Sequence, residues 1–270
     1  MVITNNDITQ KTYKKLSIQV SLSGLSFCVF DLISNKVINT MSIPFEKNKV
    51  IEEQLWRTFV DYPILTKSYD EVMVVHDNNL NAFVPTSLFD ANFLASYLQY
   101  NTKVFETDFF TYDVVFPYEM NNIYVPFVNI NNFLLDQYET FEYQNANSIL
   151  VKQLLDLSKN KEEKQVFVHV QKEHFELIVV KNQQLILFNS FQYKTPEDFI
   201  YYILFTCEQL QLNPETILVQ ILGNCSEDDA CFIIAFQYIR NCSLLDVTSK
   251  ASILEVTPTA LRNHFILYHS

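Results

Sequence analysis

Glycine is almost absent from this chain: 2 residues in 270, where average usage would supply roughly 19. Phosphate-binding loops need glycine so that the backbone can approach an anion, and the deficit excludes most of them. No P-loop, GxGxxG, GxSxG or HExxH pattern occurs. No apolar run approaches the ~18 residues of a membrane-spanning helix. The opening MVITNNDITQKTYKK has no apolar segment of the kind a secretory leader carries. Positive charge is scarce, with 19 Lys and Arg against 31 Asp and Glu, for a net charge of −12. Nucleic acid is therefore not an expected partner, because phosphate backbones are bound by clustered cations. Five cysteines (Cys28, Cys207, Cys225, Cys231 and Cys242) are odd in number and lack CxxC spacing. They read as free thiols in a reducing cytoplasm.

Hydrophobic residues make up 49% and charged residues 19%, so the chain folds and can bury a sizeable core. Its most informative feature is an internal echo. Residues 16–30 read LSIQVSLSGLSFCVF and residues 166–180 read VFVHVQKEHFELIVV. At a constant offset, Ile18 meets Val168, Val20 meets Val170, Leu25 meets Phe175, Phe27 meets Leu177 and Val29 meets Val179. Each segment alternates, passes a polar tip and alternates again, which predicts a hairpin. A third strand follows in each half, Val37–Ile43 and Leu185–Phe191, then a helix. Val50, Ile51, Leu55, Phe59 and Val60 mark the first helix, closed by Pro63. The second has Thr195 as cap, Pro196 at its first position, and a stripe from Phe199 to Leu210. Buried-strand runs Val72–Val75 and Ile217–Leu222 come next, followed by helical segments at about Ser87–Tyr97 and Glu227–Ile239. Both halves thus read β-β-β-α-β-α.

The organisation expected is a flexible N-terminus (1–14), a first subdomain with an aromatic-rich extension (15–158), a charged linker (159–164) and a second subdomain (165–270). Within the extension, Tyr112, Tyr118, Tyr124, Tyr138 and Tyr143 lie beside acidic and Asn-rich stretches. They read as core aromatics or as a surface for a partner or for self-association. With glycine so rare, Asn-Asn pairs at 5–6, 78–79, 121–122 and 131–132 are the expected turn residues.

Duplicated β-β-β-α-β-α units over essentially the whole chain resemble the actin-like ATPase fold, built on the ribonuclease H-like motif. Sugar kinases, heat-shock 70 chaperones and the pilus and secretion proteins of the PilM and GspL type share it. The stretch Phe83-Val84-Pro85-Thr86-Ser87-Leu88-Phe89-Asp90 more narrowly resembles a bacterial family with this fold and no assigned activity. The resemblance implies an α/β protein with two related subdomains, mixed sheets and a cleft between them. In ATP-hydrolysing relatives, two hairpin turns serve as phosphate loops, each with an Asp near a Gly. Here the first turn, Ser21-Leu22-Ser23-Gly24, keeps a Gly and lacks the Asp. The second, Gln171-Lys172-Glu173-His174, has neither. The adenosine loop, a strand leading to paired small residues, survives as Gly223-Asn224. The acids Glu227, Asp228 and Asp229 beyond it would repel phosphate, and Ser226 is the expected cap of the helix that follows.

The reading that follows is a cytoplasmic interaction or scaffold module without catalytic residues, cofactor or metal, whose partner is an unidentified protein or a second copy. The alternative is an ATP-binding switch or phosphotransferase using Mg²⁺, with Ser21, Ser23, Gly24, Gly223 and Asn224 at the nucleotide. His169 and His174, flanking the second turn, read as exposed hairpin polarity rather than metal ligands. The run from Cys231 to Phe236 reads as core.

Overall fold

The computed structural model describes residues 11–100, 102–105 and 107–270. Residues 1–10, with Asn5-Asn6 and most of the stretch expected to be flexible, lie outside the described residues. Two five-stranded sheets of matching order form the frame. The first holds β1 (Lys14–Ser21), β2 (Gly24–Asp31), β3 (Lys36–Pro44), β4 (Glu71–His76) and β8 (Glu142–Asn145), in the order β3-β2-β1-β4-β8. The second holds β9 (Gln165–Val170), β10 (His174–Lys181), β11 (Gln184–Gln192), β12 (Leu218–Gly223) and β13 (Asn241–Leu244), in the order β11-β10-β9-β12-β13. In each sheet the first three strands are antiparallel and the last two join in parallel.

Alternation decides how the sheets are used. Leu16, Ile18, Val20, Phe27 and Val74 face one way, onto Leu55 and Phe59 of α1 (Ile51–Asp61) and Ile130 and Leu134 of α3 (Val128–Tyr138). Val168, Leu177, Val179 and Val219 face α5 (Pro196–Gln209) and α6 (Ala230–Tyr238). The opposite faces, through Cys28, Met73, Val75, Phe167, Ile178 and Val180, share one central core. Into it pack α4 (Ala146–Leu157) and the C-terminal α7 (Thr248–Leu254) and α8 (Pro258–Asn263). The layers therefore run helix, sheet, helix, sheet, helix. α4 lies in the middle layer, which is why Ile149, Leu150, Val151, Leu154 and Leu155 are all buried. The chain end returns to the first sheet: the Tyr268 hydroxyl lies 3.0 Å from Thr40 Oγ1, and Lys15 Nζ donates to the Ser270 carbonyl at 2.9 Å.

The mixed α/β fold with duplicated sheets stands as expected, and each half runs further than β-β-β-α-β-α. A fifth strand, β8 or β13, closes each sheet. The helix expected at Ser87–Tyr97 is α2 (Leu94–Leu98), preceded by two short 3-10 turns. The first-half counterpart of α6 is α3, because each is followed by the fifth strand of its sheet. Between β4 and α3 lies a small antiparallel sheet, β5 (Asn81–Pro85), β7 (Met120–Tyr124) and β6 (Thr111–Val114), in the order β5-β7-β6.

Of the described Asn-Asn pairs one is a turn: Asn78-Asn79 bends the chain between β4 and β5, with Asn78 Oδ1 accepting from Leu80 N–H at 3.0 Å, and the other two are not. Asn121-Asn122 belongs to β7 and Asn131-Asn132 to α3. Left-handed turn positions fall instead to single residues, among them Asn35, Asn160, Asn182 and Gln183. Asn122 is buried, donating to Ser148 Oγ at 2.8 Å and accepting from Asn81 at 2.9 Å. Asn147 donates to Asn81 at 2.9 Å, and Ser148 to Asp113 at 2.5 Å. This network fastens the small sheet to α4, and burial pushes the Asp113 carboxyl up to about 6 despite those bonds. Tyr124 is buried and bonds Asp113, Tyr138 bonds the Leu65 carbonyl, and Tyr118 bonds Asp156. Those three tyrosines hold the extension together. Of the run 231–236, only Phe232 and Ala235 are buried, while Ile233 and Phe236 are exposed on the outer face of α6.

Candidate functional site

The parallel strands of both sheets end at the junction of the two halves, and the turns that follow meet there. After β4, Asp77 N–H donates to the Val20 carbonyl at 2.8 Å. After β12, Asn224 N–H donates to the Val170 carbonyl at 2.7 Å. The same backbone bond, at equivalent places in the two sheets, anchors both turns.

Side chains fill the space between them. Asp77 accepts from Gln19 Nε2 at 2.8 Å and from Gln171 Nε2 of the second half at 3.4 Å. Behind Gln171, His169 and Glu176 are direct cross-strand partners on β9 and β10, with Nδ1 to Oε2 at 2.8 Å. His174 Nε2 reaches the other oxygen of Glu176 at 3.0 Å. At the rim, Lys47 pairs with Glu173 at 2.5 Å and spans the two halves. Burial opposes charge on Glu176, but the hydrogen bonds from His169 and His174 outweigh it and hold the carboxyl down at about 2. Burial alone lowers a histidine, yet Glu176 keeps His174 above its ordinary value. Burial raises the Asp77 carboxyl, against the bond from Gln19.

The two histidines are thus not exposed hairpin polarity. His169 is 4% and Glu176 2% exposed, and each completes the other. The register was legible: with a turn at 171–173, residues 169 and 176 fall opposite one another. Gln19 and Asp77 carried no such signal, because they meet each other across 58 residues and Asp77 meets Gln171 of the other half across 94.

The expected nucleotide residues are held by the fold itself. Ser21 Oγ lies 3.0 Å from Ser23 Oγ, and the Ser23 carbonyl accepts from Phe45 N–H at 2.9 Å. A Cβ at Gly24 would sit 2.7 Å from the Ile43 carbonyl oxygen. A Cβ at Gly223, where φ is +89°, would sit 2.3 Å from the Val170 carbonyl oxygen. Both glycines are required by close backbone contact between strands. Gly24 stays with β3, and Gly223 and Asn224 stay with β9. Beyond them, Asp229 accepts from Ser226 N–H and Oγ in a turn, and α6 starts only at Ala230, so Ser226 is not its cap. Among the described residues, no group of three or more His, Cys, Asp or Glu is placed to hold a metal ion. A phosphate brought to this junction would meet the carboxylates of Asp77, Glu173 and Glu176.

The sequence model of the family described as "Protein of unknown function (DUF3822)" matches residues 3–242, and the chain belongs to that family. Among solved structures, the chain is similar to a protein of Bacteroides thetaiotaomicron with actin-like ATPase fold and unknown function. That match has a TM-score of 0.81 and 21% identity, covering 92% of this chain and 98% of the other. It is also similar to the PilM-PilN type IV pilus biogenesis complex, with a TM-score of 0.58 and 10% identity over 94% of this chain and 97% of that one. No curated protein matches the chain. The fold is the actin-like ATPase fold.

Proposed function

We propose, from membership of that family and from the filled junction, that this chain is a non-catalytic actin-like protein serving as a protein-interaction or scaffold module in the cytoplasm. The observation that carries this reading is the junction where phosphate loops would converge. The chain's own Gln19, Asp77, Gln171 and Glu176 occupy it, and its net character is anionic. Both glycines meet steric needs of the strands, which leaves no open backbone cradle for an anion. The PilM neighbour is found in a complex with PilN, which supports use of this fold as a platform for a protein partner. No described helix is long and apolar enough to cross a membrane.

A melting curve with and without millimolar ATP, ADP and Mg²⁺ tests the reading. No shift is expected. Saturation at ~100 times a dissociation constant would add about 2.7 kcal/mol and raise the midpoint by several degrees. Such a rise would overturn the scaffold reading in favour of the ATP-binding switch on Ser21, Ser23, Gly24, Gly223 and Asn224.

A further inference from the structure

A groove of about 750 Å³ lies between the small sheet and the second sheet, with one sheet edge on each wall. β5 is the edge of the small sheet and β11 the edge of the second. Thr86 N–H bonds the Glu119 carbonyl, and Val125 N–H bonds the Leu80 carbonyl. Antiparallel pairing alternates, so Ala82 and Val84 also turn their backbone groups to β7, and Asn81 and Phe83 turn theirs outward. On β11, Tyr193 N–H bonds the Glu173 carbonyl. By the same alternation, Leu187, Asn189 and Phe191 face β10, and the N–H and carbonyl of Phe188 and the carbonyl of Ser190 face outward, while Ser190 N–H donates to Asn189 Oδ1 at 3.0 Å and Asn79 Nδ2 reaches Ser190 Oγ at 3.4 Å. No strand among the described residues pairs with either edge. Phe83 and Phe188 meet edge-to-face, ring centres 4.9 Å apart, and with Met120 and Leu185 they give the groove an apolar floor over the central core. No charged side chain lines it.

We infer that this groove is a slot for one extended segment of a partner protein, which enters as a β-strand against β5 and β11. The inference rests on the interaction reading and names the partner's chemistry. Unpaired amides and carbonyls on a sheet edge are matched by another strand and not by a helix, whose own backbone groups are already bonded. Five strand residues span about 17 Å, the length of β5. Inside the slot the segment is uncharged, with alternate apolar side chains on Phe83 and Phe188. The chain's net charge of −12 favours basic residues on either side.

Selection of a displayed random dodecapeptide library on the full chain, followed by amide hydrogen exchange, tests this. Selected peptides should be uncharged and proline-free at their centre. They should slow exchange at Phe83 and Phe188 by about tenfold or more. Ser190→Pro removes a donor that β10 does not use and Asn189 Oδ1 does, and should weaken binding roughly threefold or more, whereas Asn189→Ala, which loses the same internal bond and keeps the donor, should not. Peptides that protect amides elsewhere, failure to select any, or a second copy or residues 1–10 protecting the slot in the free protein would each overturn it. A partner cross-linked to another face would then leave the interaction reading intact. A melting shift with ATP would remove that reading whatever the peptides do.

Discussion

Positions 19 and 169 occupy the same place in the two sheets, as do 26 and 176. In the first half the pair is Gln19 and Ser26, and Ser26 bonds Ser42 on the neighbouring strand. In the second it is His169 and Glu176, both buried, with the partly exposed His174 on the other Glu176 oxygen. The turn anchors differ in the same way, Asp77 in one half and Asn224 in the other, on the same backbone bond. Duplication kept the strands, whose apolar faces are needed twice. It released the polar positions, which then became complementary across the junction. Gln19 and Asp77 of one half now meet Gln171 of the other, so the junction is built from the asymmetry of the two copies.

The sharpest way to break the symmetry is at glycine. Gly223→Ala combines φ of +89° with a Cβ 2.3 Å from the Val170 carbonyl oxygen, and should destabilise by roughly 4 kcal/mol or more. Gly24→Ala, against the edge strand β3 that can shift, should lose about 1–2 kcal/mol. Urea denaturation of both variants ranks them, and equal losses would mean that Gly223 is not under strain. Next comes Glu176→Gln, which leaves His169 and His174 without their anion and should cost about 3 kcal/mol. Its counterpart Ser26→Ala, on a partly exposed pair, should stay within about 0.5 kcal/mol.

Acid titration separates the halves least strongly. Burial holds His76 in the first half down at about 4, against an ordinary 6.5. The unfolded chain therefore binds this proton first, and stability falls as pH drops from 6.5 towards 4, by up to about 3 kcal/mol. Glu176 has a lowered carboxyl, so its contribution is present above its ordinary 4.5 and is lost as pH falls towards 2. His76→Asn puts an oxygen where Nδ1 accepts from Phe127 N–H and cannot titrate. It should make the upper arm of the stability–pH curve shallower by His76's share, leaving that of His269, which burial also holds at about 4, and leave the lower arm. An unchanged upper arm would place that proton elsewhere.

Alternation of apolar residues over six or more positions made every long strand legible, because a strand buried on a face has no other pattern available. Thr195-Pro196 with Asp198 three residues past the cap announced α5, and the reciprocal capping box is present. The fifth strands β8 and β13 were hidden by their length of four residues and their polar side chains at sheet edges. Asn121 and Asn122 misled because an asparagine favours turns only when nothing else satisfies its amide, and Ser148 and Asn81 satisfy that of Asn122. The phosphate loops' missing Asp and Gly could be read directly. That Gln19, Asp77 and Gln171 fill their place could not, since their partners are 58 and 94 residues away along the chain.

The sequence by itself determined the two repeated sheets, their helices and the poverty of anion-binding turns, because periodicity and residue type are local properties. Tertiary structure alone decided that the two glycines serve strand packing, that the His169–Glu176 pair is buried, and that two unpaired sheet edges face each other across one groove. Each of these depends on which surfaces the layers bring together, and no single segment contains that information.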